Sequence, residues 1–593
     1  MPDTYKPVQI KSLPGIKRDG TMLEGGNYVD GRWVRFQRGL PRKIGGYRSI
    51  NKYLREMPNA IEAYTRNGLT YLHAGEANHL ERLYIDGSLN TSVITDRTPS
   101  SGFTADDDNM WSFTIATKLV AGVFVPYLLA QVAPNAACIC NDEGGALFAG
   151  ELFDTGALTQ VSLATGATPT GGVVALHPYA LVYGDNGYIA WSVAGDPLDF
   201  TSAGSGSVNA ASQKIVAAKP LRGGGSNSPA GLFWSADALV RATFVGGTSV
   251  FAFDTIASEI SILGQNCVVE YDGVFYWPGT SNFMQFNGVV REVENNLNVN
   301  WFFDNLNGAQ RQKVFGFKVP RFGEIWWCFP FGSAEVCTHA IIYNVRENTW
   351  YDTELGQGGR SAGVTPTVFP KPLLTGTRPA DPQAFDVAVN AGGAGYTAGD
   401  TLTVSGGTPI EAVELTVTTV SAGAITGVVI SNAGLYGSTP TNPVSVTGGS
   451  GSGATFDLTF VEPFKLWVHE AGVDAIDGQD LQPIESYFET GEITMAADNS
   501  SNAAISVVAV EPDFVQTGDM TLQIKGRVNA RAAEVTGPQM SFPDVASSPQ
   551  EQVLRFKEER RQLRFKFGSN VLGGDYQMGQ PFAQIMPGNE RIT

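Results

Sequence analysis

Short apolar stretches, interrupted by turn residues, run along most of the 593-residue chain. Val, Ile, Phe, Tyr, Trp and Thr dominate these stretches, and apolar and polar residues alternate in segments such as Ile484–Met495 and Leu563–Phe567. Alternation with a period of two is typical of strands that bury one face, whereas a helix repeats its apolar positions every three or four residues. The pattern predicts an all-β protein.

Between residues 61 and 375 the same order of strand, tight turn, strand and aromatic residue recurs. Turn signals such as Asp272-Gly273 and Asn287-Gly288 separate the strands. Each repeat has roughly the 30 to 45 residues of a four-stranded propeller blade. We therefore predict a β-propeller over residues 61–375, with a β-sandwich joined by Greek-key connections as the alternative.

Six tryptophans of this region are predicted to pack in the core or between blades. An exposed aromatic platform for a ligand is the alternative interpretation. They are Trp191, Trp234, Trp277, Trp326, Trp327 and Trp350.

The composition changes after the propeller region, where several prolines precede a segment rich in Gly, Thr, Val and Ala. Residues 376–463 are predicted to form a small separate β module. The module contains an internal duplication, because the pattern from Val389 to Gly407 returns from Ser431 to Gly449. We expect two hairpin-like halves that pack face to face. Residues 464–593 are predicted as a C-terminal β domain that completes the platform or propeller.

Charge is low and unevenly distributed. Charged residues make up 17% of the chain and the net charge is −18, which argues against wrapping nucleic acid with clustered Lys and Arg. Residues 1–56, in contrast, carry 12 Lys or Arg and 5 Asp or Glu. Residues 1–60 are therefore predicted as a basic docking arm with a hairpin turn at Asp30-Gly31, and a solvated basic face is the alternative.

Two sets of basic residues are candidates for contacts with other proteins. The N-terminal set comprises Arg32, Arg35, Arg38, Arg42 and Lys43. The C-terminal set is expected to be a solvated sheet face, with subunit docking as the alternative, and comprises Arg555, Lys557, Arg560, Arg561, Arg564 and Lys566.

The chain lacks the motifs that would predict a reaction. It has no Gly-Lys-Ser or Gly-Lys-Thr loop, and its five histidines lack the close pairing of a zinc hydrolase. Asp106–Asn109 lacks the spacing of a calcium loop. The scattered cysteines (Cys138, Cys140, Cys267, Cys328 and Cys337) are expected to be buried thiols without metal. We predict no catalytic, cofactor-binding or metal site, and no enzyme activity.

Several segments resemble structural proteins of bacteriophage tails, the class that includes tail nozzle proteins (tail tubular proteins B) and packaged-DNA stabilisation proteins. The similarity touches most of the chain outside residues 376–463, as scattered patterns. The segments are Asn27–Phe36, Ile44–Tyr47, His177–Ser192, Trp234–Val240, Val268–Trp277, Gly323–Trp327, Ile341–Asn344, Asn348–Asp352 and Arg561–Gly579.

The resemblance implies a propeller-containing virion protein of a short-tailed phage, made in the bacterial cytoplasm and located at the tail tip. It implies a ring of copies, commonly a homohexamer, that forms the nozzle or plug through which the genome exits and helps to retain the packaged DNA. The ring would contact tail adaptor or portal-side proteins and touch the exiting genomic DNA. Tail fibres, spikes and the host cell surface are further expected partners, and no cofactor is implied. A tail-associated polysaccharide depolymerase and a receptor-binding tail protein are the alternatives.

Overall fold

The computed structural model describes residues 5–587 except 22, 23, 25, 87–93, 100–102, 104, 108, 133–145, 165–168, 222–227, 248, 479, 498, 499, 530 and 546–551. The described residues form two compact units. The first comprises residues 1–51, 59–374 and 467–593, and the second comprises residues 52–58 and 375–466. Both units are built of β-strands, so the all-β prediction is confirmed.

The N-terminal segment folds into short strands. They are β1 (Lys6–Gln9), β2 (Leu13–Ile16), β3 (Asn27–Tyr28), β4 (Asp30–Arg32), β5 (Val34–Gln37) and β6 (Leu40–Lys43). Strands β5 and β6 form a hairpin whose turn is Arg38-Gly39, with φ values of 54° and 72°. Positive φ at both positions is what a two-residue hairpin turn requires.

The predicted turn at Asp30-Gly31 is wrong. Both residues lie within β4, where Gly31 pairs with Phe488. A Cβ added at Gly31 would lie 2.8 Å from Ile16 Cδ1 and 2.9 Å from Val34 Cγ1. Glycine is therefore needed at this position for close packing rather than for a turn.

Strand β7 (Tyr47–Leu54) precedes six consecutive antiparallel sheets, in each of which every strand pairs with the next one in sequence. The first sheet contains β8 (Ala60–Arg66), β9 (Leu69–Gly75), β10 (Leu80–Ile85) and β11 (Thr95–Asp96). The second contains β12 (Ser112–Val120), β13 (Val123–Val132), β14 (Ala146–Glu151) and β15 (Thr159–Gln160). The third contains β16 (Gly172–Leu176), β17 (Tyr179–Tyr183), β18 (Tyr188–Trp191) and β19 (Gly206–Asn209).

Three further sheets of the same design follow. The fourth contains β20 (Ile215–Pro220), β21 (Ala230–Ser235), β22 (Ala238–Phe244) and β23 (Phe251–Ser258). The fifth contains β24 (Val269–Tyr271), β25 (Val274–Pro278), β26 (Phe283–Phe286) and β27 (Val290–Glu292). The sixth contains β28 (Phe315–Val319), β29 (Glu324–Phe329), β30 (His339–Asn344) and β31 (Thr349–Glu354). A short helix, α1 (Val299–Asn305), and a 3₁₀ helix, Gly308–Lys313, connect the last two sheets, and another 3₁₀ helix is Asp185–Gly187.

The predicted tryptophans pack in the blades. All six are less than one-tenth exposed, so the prediction of core packing is confirmed. The indole N–H of Trp277 donates to Ser261 O at 3.1 Å, and that of Trp327 donates to Cys267 O at 2.8 Å. These bonds satisfy the indole donors of Trp277 and Trp327. Each buried ring removes a large apolar area from water, which stabilises the fold by about 2–3 kcal/mol per side chain.

Strands β32 (Arg360–Val364) and β33 (Leu373–Pro379) come next, and the chain then enters the second unit. Its strands are β34 (Gln383–Ala394), β35 (Thr401–Val404), β36 (Thr408–Glu411), β37 (Glu414–Ser421), β38 (Ala424–Asn432), β39 (Leu435–Ser438), β40 (Val444–Gly448) and β41 (Ser452–Val461). Six of them form one sheet in the order β34-β41-β40-β35-β37-β38, and β36 pairs with β39. Strands β34 and β38 lie against each other, so the sheet is nearly closed into a barrel.

The two halves of this module do not pack face to face as predicted. The equivalent strands β35 and β40 pair at the centre of the sheet, with Val404 opposite Val446. On either side β34 pairs with β41 and β37 with β38, so each of these pairs joins one repeat to the other. The repeats are interlaced, and neither one contains a complete core.

The chain returns to the first unit through a last series of strands. They are β42 (Phe464–His469), β43 (Ala475–Asp477), β44 (Asp480–Gln482), β45 (Ser486–Glu489), β46 (Met495–Ala497), β47 (Ser500–Ala503), β48 (Ile505–Glu511), β49 (Phe514–Thr517), β50 (Met520–Arg527), β51 (Val535–Phe542), β52 (Leu554–Arg560), β53 (Gln562–Ser569), β54 (Asp575–Met578) and β55 (Phe582–Pro587).

A seventh sheet completes the propeller. Its order is β32-β33-β42-β7-β43-β44, and β32 lies next to both β28 and β8. The first strands of the seven sheets, β8, β12, β16, β20, β24, β28 and β32, contribute residues to one central cavity. The propeller thus has seven blades. It extends beyond residues 61–375, because the seventh blade takes β7 and β42 from distant parts of the chain.

The remaining strands build what we call the platform. Its sheets are β4-β45-β53-β50-β51, β49-β54-β6-β5 and β1-β55-β48-β52. Each sheet pairs N-terminal with C-terminal strands around a shared aromatic core, in which the Tyr28 ring lies 5.2 Å from Phe36 and 5.6 Å from Phe488. Residues 6–43 are therefore integral to the platform rather than a separate docking arm, because burial of their apolar side chains requires the C-terminal strands.

Candidate docking groove and axial cavity

Two of the five N-terminal residues chosen from sequence as docking residues lie inside the protein. Arg35 is 1% exposed, and its guanidinium contacts the carboxylates of Glu324 and Glu470. Lys43 is 2% exposed and its Nζ donates to Gly574 O at 2.6 Å. Burial lowers the pKa of Lys43 from its ordinary value. Both side chains form contacts inside the first unit, so their assignment to a docking surface was wrong.

Arg32 remains at the surface but is paired within the chain. Its guanidinium lies 2.9 Å from a Glu354 carboxylate oxygen and 3.0 Å from one of Glu485. The two carboxylates compensate its charge, and all three side chains are exposed. Such solvated pairs contribute little to stability, about 0–1 kcal/mol, and leave little net charge for a partner to bind.

Arg38 and Arg42 line a groove of about 310 Å³ together with Phe322, Arg346 and Glu347. Arg42 and the nearby Arg321 lie over the Phe322 ring, with guanidinium carbons 5.6 Å and 5.1 Å from its centroid. We call this the arginine groove. Arg38, Arg42 and Arg346 line it, and Arg321 lies beside it over the Phe322 ring, so four arginines meet here.

Hydrogen bonds hold the groove in shape. The Glu347 carboxylate accepts the backbone N–H of Arg38 at 2.9 Å and that of Gly39 at 3.2 Å, which fixes the hairpin turn. Arg346 donates to Arg321 O at 3.0 Å and to Pro320 O at 2.7 Å. In the described part of the chain, none of the four guanidinium groups forms an ion pair with a carboxylate. The groove therefore concentrates positive charge on an acidic protein and is suited to bind an anionic surface.

Sequence reasoning found only half of this groove. Arg321, Phe322 and Arg346 lie in two turns of the sixth blade, and the sequence patterns did not indicate them as binding residues. Their distance in sequence from Arg38 hides the cluster, since the platform hairpin has to dock against the blade before the four arginines meet.

The C-terminal basic set contains both exposed and buried side chains. Arg555 and Lys557 are exposed on β52, as expected of a solvated face. Arg564 instead is buried and lies 2.8 Å from a Glu489 carboxylate oxygen, and Lys525 reaches Glu489 at 2.7 Å. The expectation is wrong for Arg564, because it belongs to an internal charge network. Lys566 is partly covered, with its Nζ 3.6 Å from the Tyr487 ring centroid.

The axis of the propeller contains a cavity of about 430 Å³. Its charged lining residues are Glu62, Lys219, Glu270 and Lys318. Lys318 Nζ donates to Glu270 O at 2.9 Å. Burial raises the pKa of Glu62 to about 7, although nearby Lys219 acts in the opposite direction. The cavity has the size of a small-molecule pocket and is too small for a nucleic-acid duplex to pass.

Candidates for other chemistry are placed as follows. Cys267, Cys328 and Cys337 are buried free thiols, as expected, and burial raises the pKa of each. Cys138, Cys140 and Asp108 lie outside the described residues. Among the described residues, no helix is both long and apolar enough to cross a membrane.

The fold defines a seven-bladed β-propeller joined to a β platform, with an inserted β module. No family model matches the chain, and no curated protein matches it. A solved structure titled "Structure of U3-55K" is similar, with a TM-score of 0.33 and 6% sequence identity over 56% of this chain and 90% of that chain. A similarity of this degree assigns neither a family nor an activity.

Proposed function

We propose that this chain is a structural protein of a short-tailed bacteriophage, a subunit of the ring-shaped nozzle at the tail tip that helps to retain the packaged genome. The motifs quoted above resemble such proteins. The structural observation that supports the proposal most is the arginine groove, whose arginines form no ion pair with a carboxylate among the described residues, on a chain of net charge −18. Acidic copies of this chain repel one another and repel acidic partners. A local basic groove therefore favours the one docking orientation that brings it against an acidic surface.

The groove is proposed to bind an acidic surface of a tail adaptor or portal-side protein. Arg38 and Arg42 present it from the platform, and Arg321 and Arg346 present it from the sixth blade. Arginine side chains pair with carboxylates in two-point geometry, which adds orientation to affinity. Docking at this place would therefore fix the direction in which the nozzle subunit points.

The route of the DNA is proposed to lie between copies rather than through the propeller. The axial cavity of about 430 Å³ is lined by both lysines and glutamates and does not admit a duplex. A ring, commonly of six copies in the proteins that this sequence resembles, would enclose a wider channel. We expect an acidic or neutral wall there, because a wall of Lys and Arg would bind phosphates and slow ejection.

Charge reversal of the groove tests the proposal. The variant Arg38→Glu, Arg42→Glu, Arg346→Glu is expected to lose incorporation into particles, as measured by electron microscopy and by protein content of purified virions. The isolated variant should keep the circular dichroism spectrum of the native chain. A matched control reverses three exposed cations elsewhere, Arg291→Glu, Arg311→Glu and Arg531→Glu, and should assemble normally. Normal incorporation of the groove variant would contradict the proposed docking role.

The depolymerase alternative is tested directly. The proposal predicts that purified protein does not shorten host surface polysaccharide. Shortening that is lost on changing a pair of acidic residues would instead favour an enzyme. Binding of a host glycan by the isolated residues 375–466 would favour the receptor-binding alternative.

A further inference from the structure

The hairpin between β12 and β13 ends in an uncharged apolar tip. Residues 119–124 read Leu-Val-Ala-Gly-Val-Phe, and the two-residue turn Ala121-Gly122 has φ values of 49° and 81°. The four flanking side chains are exposed although they are large and apolar. They are Leu119, Val120, Val123 and Phe124, with exposed fractions of 50%, 41%, 63% and 58%. Contiguous exposed apolar groups of this kind mark an interaction site.

Both faces of the tip are apolar. Leu119 pairs directly with Phe124, and Val120 pairs with Val123. Directly paired residues share one face of a two-stranded ribbon, and successive pairs lie on opposite faces. A flat protein surface would cover one face and leave the other in water. An environment that is apolar on all sides covers both.

The base of the hairpin is fixed to the third blade. The backbone N–H of Leu119 donates to Gly195 O at 3.0 Å, and Lys118 Nζ lies 2.8 Å from an Asp196 carboxylate oxygen. The Phe124 ring contacts the His177 ring edge-on at 5.9 Å. These contacts hold the tip in a defined shape. Asp196 compensates the charge of Lys118, which is the cation nearest to the tip in sequence.

We propose that this tip inserts into the apolar layer of a lipid bilayer. A second copy of the chain is a poorer occupant, because a flat protein surface would cover only one of the two apolar faces of the tip. The tip carries no charge and the chain is acidic, so insertion should favour zwitterionic lipid and weaken as anionic lipid is added. The inference does not depend on the proposed nozzle function, since it rests on the exposed apolar residues alone.

Flotation of the full-length protein with phosphatidylcholine vesicles tests the proposal. The native chain should float with the vesicles. The serine variant, Leu119→Ser, Val120→Ser, Val123→Ser and Phe124→Ser, should partition at least about tenfold less, because it lacks most of the apolar area of the tip. A control variant changes four exposed valines elsewhere to serine, namely Val245, Val289, Val368 and Val515, and should float as the native chain does.

A conservative change keeps the test valid if the serine variant misfolds. Phe124→Trp preserves the apolar bulk and should float normally, with a tryptophan emission that shifts to shorter wavelength on vesicle addition. Failure of the native chain to float, or equal flotation of the tip variant and the control, would overturn the proposal. Sedimentation would also overturn the proposal if the serine variant lost self-association while its flotation stayed unchanged. That result would assign the tip to a contact between copies.

Discussion

Arg35 and Glu324 form a buried ion pair that joins the platform to the sixth blade. Arg35 Nε lies 2.8 Å from Glu324 Oε1, and neither side chain is more than 1% exposed. Tyr351 and Trp326 donate further hydrogen bonds to the same carboxylate at 2.7 Å and 2.8 Å. Every oxygen of Glu324 is thus satisfied, which compensates for removing the charges from water.

Replacing Arg35 alone should strongly destabilise the first unit. Arg35→Leu leaves the Glu324 carboxylate buried without its counter-charge, and we expect a loss of about 3–5 kcal/mol in the free energy of unfolding. Urea denaturation followed by tryptophan fluorescence measures it. Arg32→Leu, which breaks an exposed pair, should cost about 1 kcal/mol or less. Equal losses of unfolding free energy in Arg35→Leu and Arg32→Leu would show that the buried pair contributes no more to stability than the exposed one.

Arg564 should behave as a structural residue and Arg555 as a surface residue. Arg564→Met removes the cation that faces Glu489 in the platform core, and a loss of about 3 kcal/mol is expected. Arg555→Met lies on the exposed side of β52 and should change stability by less than about 0.5 kcal/mol. The same denaturation experiment compares them. A loss for Arg564→Met as small as that for Arg555→Met would contradict a stabilising role of the Arg564 cation in the charge network.

Glu62 should make stability depend on pH near neutrality. Its pKa is about 7 in the folded protein, above the ordinary value of 4.5, so the folded state holds its proton more tightly than the unfolded state. The contribution of Glu62 to stability therefore falls as the pH rises from 4.5 through about 7. Glu62→Gln removes this dependence and should gain stability relative to the native chain between pH 5 and pH 8. The control variant Glu259→Gln changes an exposed glutamate and should show the same dependence of stability on pH as the native chain. If Glu62→Gln also showed the native dependence, Glu62 would not be its source.

The inserted module should be removable as a whole. Ala380 N donates to Pro463 O at 2.6 Å, so the two ends of the insert lie side by side. Joining residue 380 to residue 463 through Asn-Gly should leave a soluble protein with a cooperative unfolding transition, measured by calorimetry.

Removing only half of the module provides the contrast. Deletion of residues 424–461 takes away β38 to β41, which pair with strands of the first repeat. The remaining strands lose their partners, and the variant should aggregate or lose the module's β signal. If half of the module folds normally, the interlaced pairing does not determine its stability.

Local patterns in the sequence were sufficient to predict the strands, the blades of consecutive strands and the burial of the tryptophans. Alternation of apolar residues, Gly-containing turns and aromatic residues act over a few positions, so each blade of consecutive strands can be recognised from its own segment. A separate module was predicted from local composition as well, since the segment rich in Gly, Thr, Val and Ala differs from its surroundings.

Only the tertiary structure decided which distant strands meet. Gly31 pairs with Phe488 across the platform, and Ala475 pairs with Tyr47 in the seventh blade. Those pairings bury Arg35 and bring Arg38 and Arg346 to one groove, although Arg35 and Arg38 look alike in sequence. Local composition cannot distinguish a buried arginine from an exposed one, because the carboxylates that compensate the charge of Arg35 come from residues 289 and 435 positions away.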